Sequence, residues 1–306
     1  MEGLTVAIEQ VLLLLIFIGL GYALTKTKKA NSDHSKLLSV LGFYIFLPAN
    51  IFKTFATNFT VEYLSQKYPL VLISVVFVVV MMLVGIPVSK LLSKDKYQQA
   101  IYRYSMVTPN YGYVGYALAG SIFGDGMLLN VMMFALPLSI YTYTIGFCML
   151  TRSRVSWKKL MSPANIALVA GAAVGLLDIQ MPSLVTDLLG KASGCMGPIS
   201  MLLTGMVIAE YKLLDMFTNK VVYLLGALRL LIIPIGMGFA LTGLGMKDLV
   251  PPVVMILCVP CGMNTIVFPQ LVGEDCKTGA ALTCVTSILC CITIPLCLWI
   301  FGIKAA

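Results

Sequence analysis

Long apolar runs, separated by short polar, basic or Pro/Gly-marked breaks, follow one another from end to end of the chain. They fall at about 5–25, 35–56, 69–92, 97–122, 127–150, 163–179, 182–210, 219–243, 248–272 and 276–302. A helix needs about 20 apolar residues to cross a hydrocarbon core about 30 Å thick. These runs are therefore expected to be ten membrane-spanning helices. Strands are excluded because an open sheet edge facing lipid leaves its backbone groups unsatisfied. Little chain remains for loops, and no soluble domain fits between the spans.

Composition agrees with this pattern. Of 306 residues, 59% are hydrophobic and 11% are charged, where a soluble domain carries about 25% charge. The mean hydropathy is +0.95. The net charge of +8 reads as loop charge that sets orientation, not as a nucleic-acid surface. The nine cysteines have no extramembrane region to staple, and Cys148, Cys284, Cys290, Cys291 and Cys297 lie in apolar runs as packing residues. The first run has Glu2 and Glu9 before or within it and no small-residue cleavage site after it, so it reads as a retained helix.

Charge sets the topology. With the N-terminus outside, most basic residues, among them Lys26, Lys28, Lys29, Lys94, Lys96, Arg152, Arg154, Lys158 and Lys159, fall in inner loops. The outer loops keep Lys53, Lys67, Lys191, Lys247 and Lys304. The basic excess inside gives N-out, C-out. Five spans then lie on each side of a basic linker: residues 1–150 form one repeat, 151–159 the linker and 160–306 a second repeat of opposite topology. Matching interruptions support the duplication. The second span of each half holds a proline, at Pro48 and Pro198. The fourth holds a denser break, Thr108-Pro109-Asn110-Tyr111-Gly112 in one half and Val259-Pro260-Cys261-Gly262-Met263-Asn264 in the other. Each of these runs on to a similar exit, Gly124-Asp125 and Gly273-Glu274.

A proline inside a span removes an amide hydrogen and frees carbonyls that lipid cannot satisfy. Two such breaks at matching places predict a pair of broken helices crossing near the bilayer midplane. Half-helix N-termini there offer amides and partial positive charge to an anion, and C-termini offer carbonyls to a cation. Asn110 and Asn264 are the leading side chains, since a buried amide can donate to a carboxylate and accept from a hydroxyl; either could instead be an interhelical bond. Pro109, Pro260, Tyr111, Tyr113, Thr265 and, in the second span, Asn50 complete the candidate substrate site. Arg229 lies about nine residues into the eighth span, roughly 14 Å deep, as a possible intramembrane charge. Lys53, near the outer end of the second span, reads as an interface residue.

Missing groups narrow the function. No Asp or Glu lies in the middle of a span, so ion coupling through buried carboxylates has no candidate. The lone His34 supports neither a metal site nor a catalytic triad, and protease, phosphate-loop and nucleophile-elbow motifs are absent. No enzyme activity, cofactor or metal is expected. Cys258-Val259-Pro260-Cys261 has the spacing of a redox dithiol, which leaves a transmembrane thiol-disulfide electron carrier as a minor alternative.

At these breaks the chain resembles the auxin efflux carrier family, which includes plant PIN-type carriers and bacterial transporters assigned to malonate or malate. The resemblance covers the whole chain. It is carried by Leu47-Pro48-Ala49-Asn50, by Pro109-Asn110-Tyr111-Gly112-Tyr113-Val114-Gly115, by Leu228-Arg229 through Pro234, and by the last span from Thr286 to Leu296. It implies the fold of bile acid symporters and sodium/proton antiporters: all-α, ten transmembrane helices in two inverted repeats, a scaffold and a transport domain that moves as an elevator. By the same resemblance Pro109 and Pro260 mark the crossover and Asn110 matches the position that holds a substrate carboxylate. Asn264, four residues after Pro260, departs from a plain Pro-Asn pair. The long cytoplasmic loop of the plant carriers is absent, and the short loops point to a bacterial inner membrane.

The resulting expectation is a secondary transporter of a small organic anion, with H⁺ or Na⁺ as the open coupling partner, membrane lipid around it, no nucleic acid, and a homodimer through scaffold helices as a further expectation. Export is favoured, because an anion moving outward down an inside-negative potential gains about 2.3 kcal/mol per 100 mV. The rival reading is a membrane sensor or a lipid- or sterol-binding module on the same fold.

Overall fold

The structure is a computed structural model and describes residues 2–153, 163–212 and 217–303. Helices account for nearly all of them, and no strand occurs among the described residues. In chain order they are α1 (Glu2–Lys26), α2 (Ser32–Asn58), α3 (Val61–Leu92), α4 (Lys96–Val107), α5 (111–123), α6 (Gly126–Leu150), α7 (Pro163–Leu176), α8 (Ser183–Glu210), α9 (Lys220–Gly243), α10 (Val250–Leu257), α11 (Asn264–Val272) and α12 (Lys277–Ile300). Six of these, α2, α3, α6, α8, α9 and α12, are long and apolar enough to cross a membrane. The chain is a multi-pass membrane protein. The linker expected at 151–159 lies outside the described residues from Arg154 onward, as do Lys304 and the C-terminus.

Local chemistry starts and stops these helices. Asn31 caps α2 and Thr60 caps α3 by accepting from amides of the first turn, and Asp95 does the same for α4 through the Gln98 amide. At 32 residues, α3 is about 48 Å long, more than a bilayer core needs, so it tilts or extends past the core. Proline marks irregularities inside the spans. In α2 a π-turn at Gly42–Phe46 precedes Pro48, and in α9 a π-turn at Leu228–Ile232 precedes Pro234. Pro234 has no amide for the Leu230 carbonyl, which accepts instead from the Cys297 thiol at 3.4 Å. Pro198, by contrast, sits within a continuous α8.

Among the helix pairs that join the halves of the chain are α1 with α8 and α2 with α7. Glycine permits both. A Cβ at Gly21 would overlap the Leu202 carbonyl and one at Gly205 the Ile18 carbonyl. A Cβ at Gly171 would crowd the Phe52 carbonyl, and one at Gly175 the Phe55 and Phe59 carbonyls. Small residues that bring backbones together are how helices associate in lipid, where apolar burial gives no advantage. The breaks on either side of α5 and α11 also follow the sequence: Gly124 (φ 76°) separates α5 from α6, and Gly273 (φ 72°) ends α11, both in a backbone region that glycine enters without strain.

Candidate functional site at the helix crossing

Where α4 gives way to α5, and α10 to α11, the two unwound segments meet face to face. Pro109 and Cys261 form an isolated antiparallel bridge. The Asn110 amide donates to the Pro260 carbonyl at 2.8 Å, and the Gly262 amide donates to the Thr108 carbonyl at 3.3 Å. This short exchange accounts for backbone groups that the prolines leave without helical partners. The Cys261 amide is taken up by the Thr286 hydroxyl of α12 at 3.1 Å. The crossing is thus stitched by its own backbone and held from behind by α12.

A small pocket opens at this crossing. Its wall includes Asn50, Thr54, Pro109, Asn110, Tyr111, Gly112, Tyr116, Ser139, Tyr143 and Asn264. Free space amounts to about 30 Å³, room for at least one water. Asn110 is 2% exposed, and its Nδ2 has no hydrogen-bond partner. Its carbonyl accepts from Val114 and Gly115, so the first amides of α5, at Tyr111 and Gly112, lie at a helix start with no carbonyl a turn behind them. Asn264 starts α11 and donates through Nδ2 to the buried Tyr104 hydroxyl at 3.0 Å, which leaves its Oδ1 unpartnered. One pocket therefore collects an unpaired amide donor, a helix N-terminus and an unpaired amide acceptor. Polar groups left unpaired in a buried site are costly, and a bound polar ligand relieves that cost.

The pocket continues into a larger vestibule of about 330 Å³, lined by Asn50, Lys53, Thr57, Asn58, Tyr116, Ser193 and Gly197 among others. It lies toward the face where α2 and α5 end and α8 begins. Lys53, read from the sequence as an interface residue, is exposed and lines this vestibule. Asn50 accepts from Ser193 at 2.6 Å, tying α2 to α8 beside the vestibule.

Toward the opposite face the described side chains close on one another. The Phe43, Phe147 and Phe268 rings pack with centroids 5.0 to 5.9 Å apart. Gln270 of α11 donates to Ser35 of α2 at 2.8 Å in a buried contact, and Arg152 pairs with Glu274 at 3.3 Å. Tyr211 donates to Asp275 at 2.9 Å.

The other sequence candidates divide. Pro109, Asn110, Tyr111, Asn50 and Asn264 line the pocket; Tyr111 accepts from Ser139 at 3.0 Å. Pro260 contributes its carbonyl to the crossing and no pocket surface. Thr265 is fully buried behind the crossing, where its hydroxyl donates to the Gly262 carbonyl at 2.9 Å, so it braces the break and does not line the pocket. The side chain of Tyr113 lies outside the described part. Arg229 is also away from the pocket: its Nη1 donates to the Leu257 carbonyl at 2.5 Å, capping the C-terminus of α10. Cys258 and Cys261 are fully buried free thiols. Thr54, Ser139 and Tyr143 are pocket residues that the sequence does not single out, because a hydroxyl in an apolar span carries no periodic signal.

A multi-pass helical protein whose polar pocket lies where two interrupted helices cross has the architecture of a membrane transporter. Comparison with known families agrees: residues 6–155 and again 151–298 match the membrane transport protein family. The chain belongs to that family, the one of the auxin efflux carriers, and the family match covers it in two repeats. No curated protein matches it.

Proposed function

We propose that the protein is a secondary transporter of a small organic anion bearing a carboxylate, held at the helix crossing by the Asn110 amide and the first amides of α5. The observation that carries this reading is the unpartnered Asn110 Nδ2, buried beside a helix N-terminus in the pocket. Asn264 Oδ1 supplies the complementary acceptor for a hydroxyl, an N–H or a water on the substrate. Lys53 in the vestibule draws anions toward the site.

The fold supports ten spans in two inverted repeats: α1, α2, α3, α4 with α5, and α6, then α7, α8, α9, α10 with α11, and α12. Under the two-fold relation, spans one and six exchange, as do spans two and seven. The glycine-mediated pairs α1 with α8 and α2 with α7 are then images of each other, as are the two backbone bonds of the crossing. We assign α1, α2, α7 and α8 to the scaffold and the crossing helices to the moving domain. With basic loops inside, the vestibule opens outward and the Gln270–Ser35 contact seals the cytoplasmic side.

Counterflow in proteoliposomes with labelled malate, malonate and indole-3-acetate tests the reading, with and without Na⁺ or a pH gradient. Saturable counterflow lost in Asn110→Ala supports it. Saturable counterflow that Asn110→Ala leaves intact removes the site, and no counterflow of any carboxylate by folded wild type removes the function.

A further inference from the structure

Among the described residues Arg229 is the one buried charged side chain. It stands on the π-turn of α9, its Nη1 on the Leu257 carbonyl at the end of α10, three residues before Pro260. Its Nε and Nη2 have no partner, and no buried carboxylate accompanies it. The nearby side chains of Cys258 and Cys261 are thiols, ordinarily neutral at pH 7. A guanidinium this deep is costly and always charged. The four half-helix ends at the crossing cancel, two N-termini near +0.5 against two C-termini near −0.5. What remains is a full charge of +1 with no buried counterion among the described residues.

We infer, resting on the carrier reading above, that Arg229 is the fixed countercharge of the transport site. The substrate crosses as a monoanion in an electroneutral complex, no inorganic cation accompanies it, and membrane potential acts on the return of the empty, positively charged carrier. The guanidinium occupies the carbonyl end of α10, the place where a cotransported cation would find ligands. Arg229 travels with the crossing because the two are bonded together: α9 to α10 through Leu257, α9 to α12 through Leu230 and Cys297, and α12 to the crossing through Thr286 and Cys261. The loaded site carries no net charge across the bilayer. The empty site carries +1, which an inside-negative potential draws inward, so the cycle runs toward export.

Loaded-to-loaded exchange and net efflux separate these steps in proteoliposomes clamped by a potassium diffusion potential, using whichever of labelled malate, malonate or indole-3-acetate shows counterflow, with a dicarboxylate assayed at a pH between its two carboxyl pKa values so that it is already a monoanion in solution. For wild type, exchange at saturating substrate on both sides changes less than 2-fold on applying −100 mV. Net efflux into substrate-free buffer changes by up to about 50-fold, the limit for one charge crossing the full field (about 2.3 kcal/mol per 100 mV). Arg229→Lys keeps this pattern. Arg229→Gln transfers the voltage dependence to exchange, because the loaded complex is then negative. Should Arg229→Gln fail to fold, the wild-type pattern and Arg229→Lys still decide. Voltage-sensitive exchange in wild type, an unchanged pattern in a transporting Arg229→Gln, or uptake of Na⁺ or H⁺ in fixed ratio with substrate overturns the inference while leaving the carrier reading intact. Absence of any counterflow by wild type overturns the carrier reading first, and this inference with it.

Discussion

Replacing Asn110 with alanine separates a binding role from a structural one, because the two predict opposite signs. Residue 110 holds the crossing through its backbone, the amide on Pro260 and the carbonyl under Val114 and Gly115, and its φ of −78° and ψ of 55° suit an alanine in an inverse γ-turn. All of these bonds survive the substitution. The side chain's Nδ2 is buried without a partner, so truncation removes an unsatisfied donor and breaks none of its hydrogen bonds. Unfolding in detergent is therefore expected to shift little, or slightly upward. Binding is expected to suffer, because a hydrogen bond to a charged group contributes about 1.5–3 kcal/mol, which is about 10- to 150-fold in Kd. Asn264→Ala provides the control: it strips the bond to the buried Tyr104 hydroxyl and costs about 1–3 kcal/mol of stability. The assay pairs thermal unfolding of both variants with counterflow concentration curves. A clearly less stable Asn110→Ala with unchanged half-saturation would refute the reasoning, since it would show that the side chain braces the fold and does not meet substrate.

Four further outcomes follow from individual contacts. Lys53→Gln removes the vestibule cation without touching the pocket, so half-saturation rises severalfold at low salt and the difference shrinks near 0.5 M salt, read by counterflow at two ionic strengths. Gly205→Ala forces α1 from α8 at the Ile18 carbonyl and lowers stability by about 1–3 kcal/mol, measured by thermal unfolding. Gln270→Leu breaks the bond to Ser35 and loosens the sealed face. Buried Cys276, whose thiol donates to the Gln270 Oε1 at 3.3 Å and is pushed up to about 12 by burial and by Asp275 and Glu210, then loses that partner as well as its cover and reacts faster with a maleimide than in wild type, as mass spectrometry would show. Arg152→Ala removes a half-exposed pair with Glu274 and costs less than about 1 kcal/mol.

The apolar runs were legible because lipid demands them, and most helices begin and end within a few residues of the runs expected; α3 begins at Val61, eight residues before its run, and six helices are long and apolar enough to cross a membrane. The breaks were legible because proline and glycine act locally: Pro109 and Pro260 stop their helices, and the exits at Gly124 and Gly273 both adopt positive φ. Which residues face the pocket was harder to read. Spans such as α3 are apolar on every side, so no polar stripe reports their rotation. Thr265 and Asn264 are neighbours in sequence, yet one turns toward α12 and the other toward Tyr104 and the pocket, a choice made by Gly279, which lets α12 approach the Thr265 backbone. Lys53 looked like an interface anchor because depth can be counted from the chain, whereas a vestibule requires α2, α5 and α8 together.

The two broken helices are alike in backbone and unlike in side chain, and under the proposed function this difference divides the work between the halves. The first break follows proline directly with Asn110, whose free donor and adjoining α5 amides suit an anion. The second places Cys261, Gly262 and Met263 before Asn264, and Gly262 lies within van der Waals reach of the Thr108 and Pro109 carbonyls, so this side provides close packing. Behind it stands Arg229 on the α10 carbonyl end, with no counterpart among the buried residues of the first half. A symmetric pair of Pro-Asn breaks would offer two anion sites and no balancing charge. On the proposed carrier reading, one break modified for backbone contact and supplied with a guanidinium gives the crossing one anion site and one fixed positive charge. Moving the pair together across the membrane then leaves the loaded site neutral, which lowers the electrostatic cost of passing an anion through a low-dielectric core.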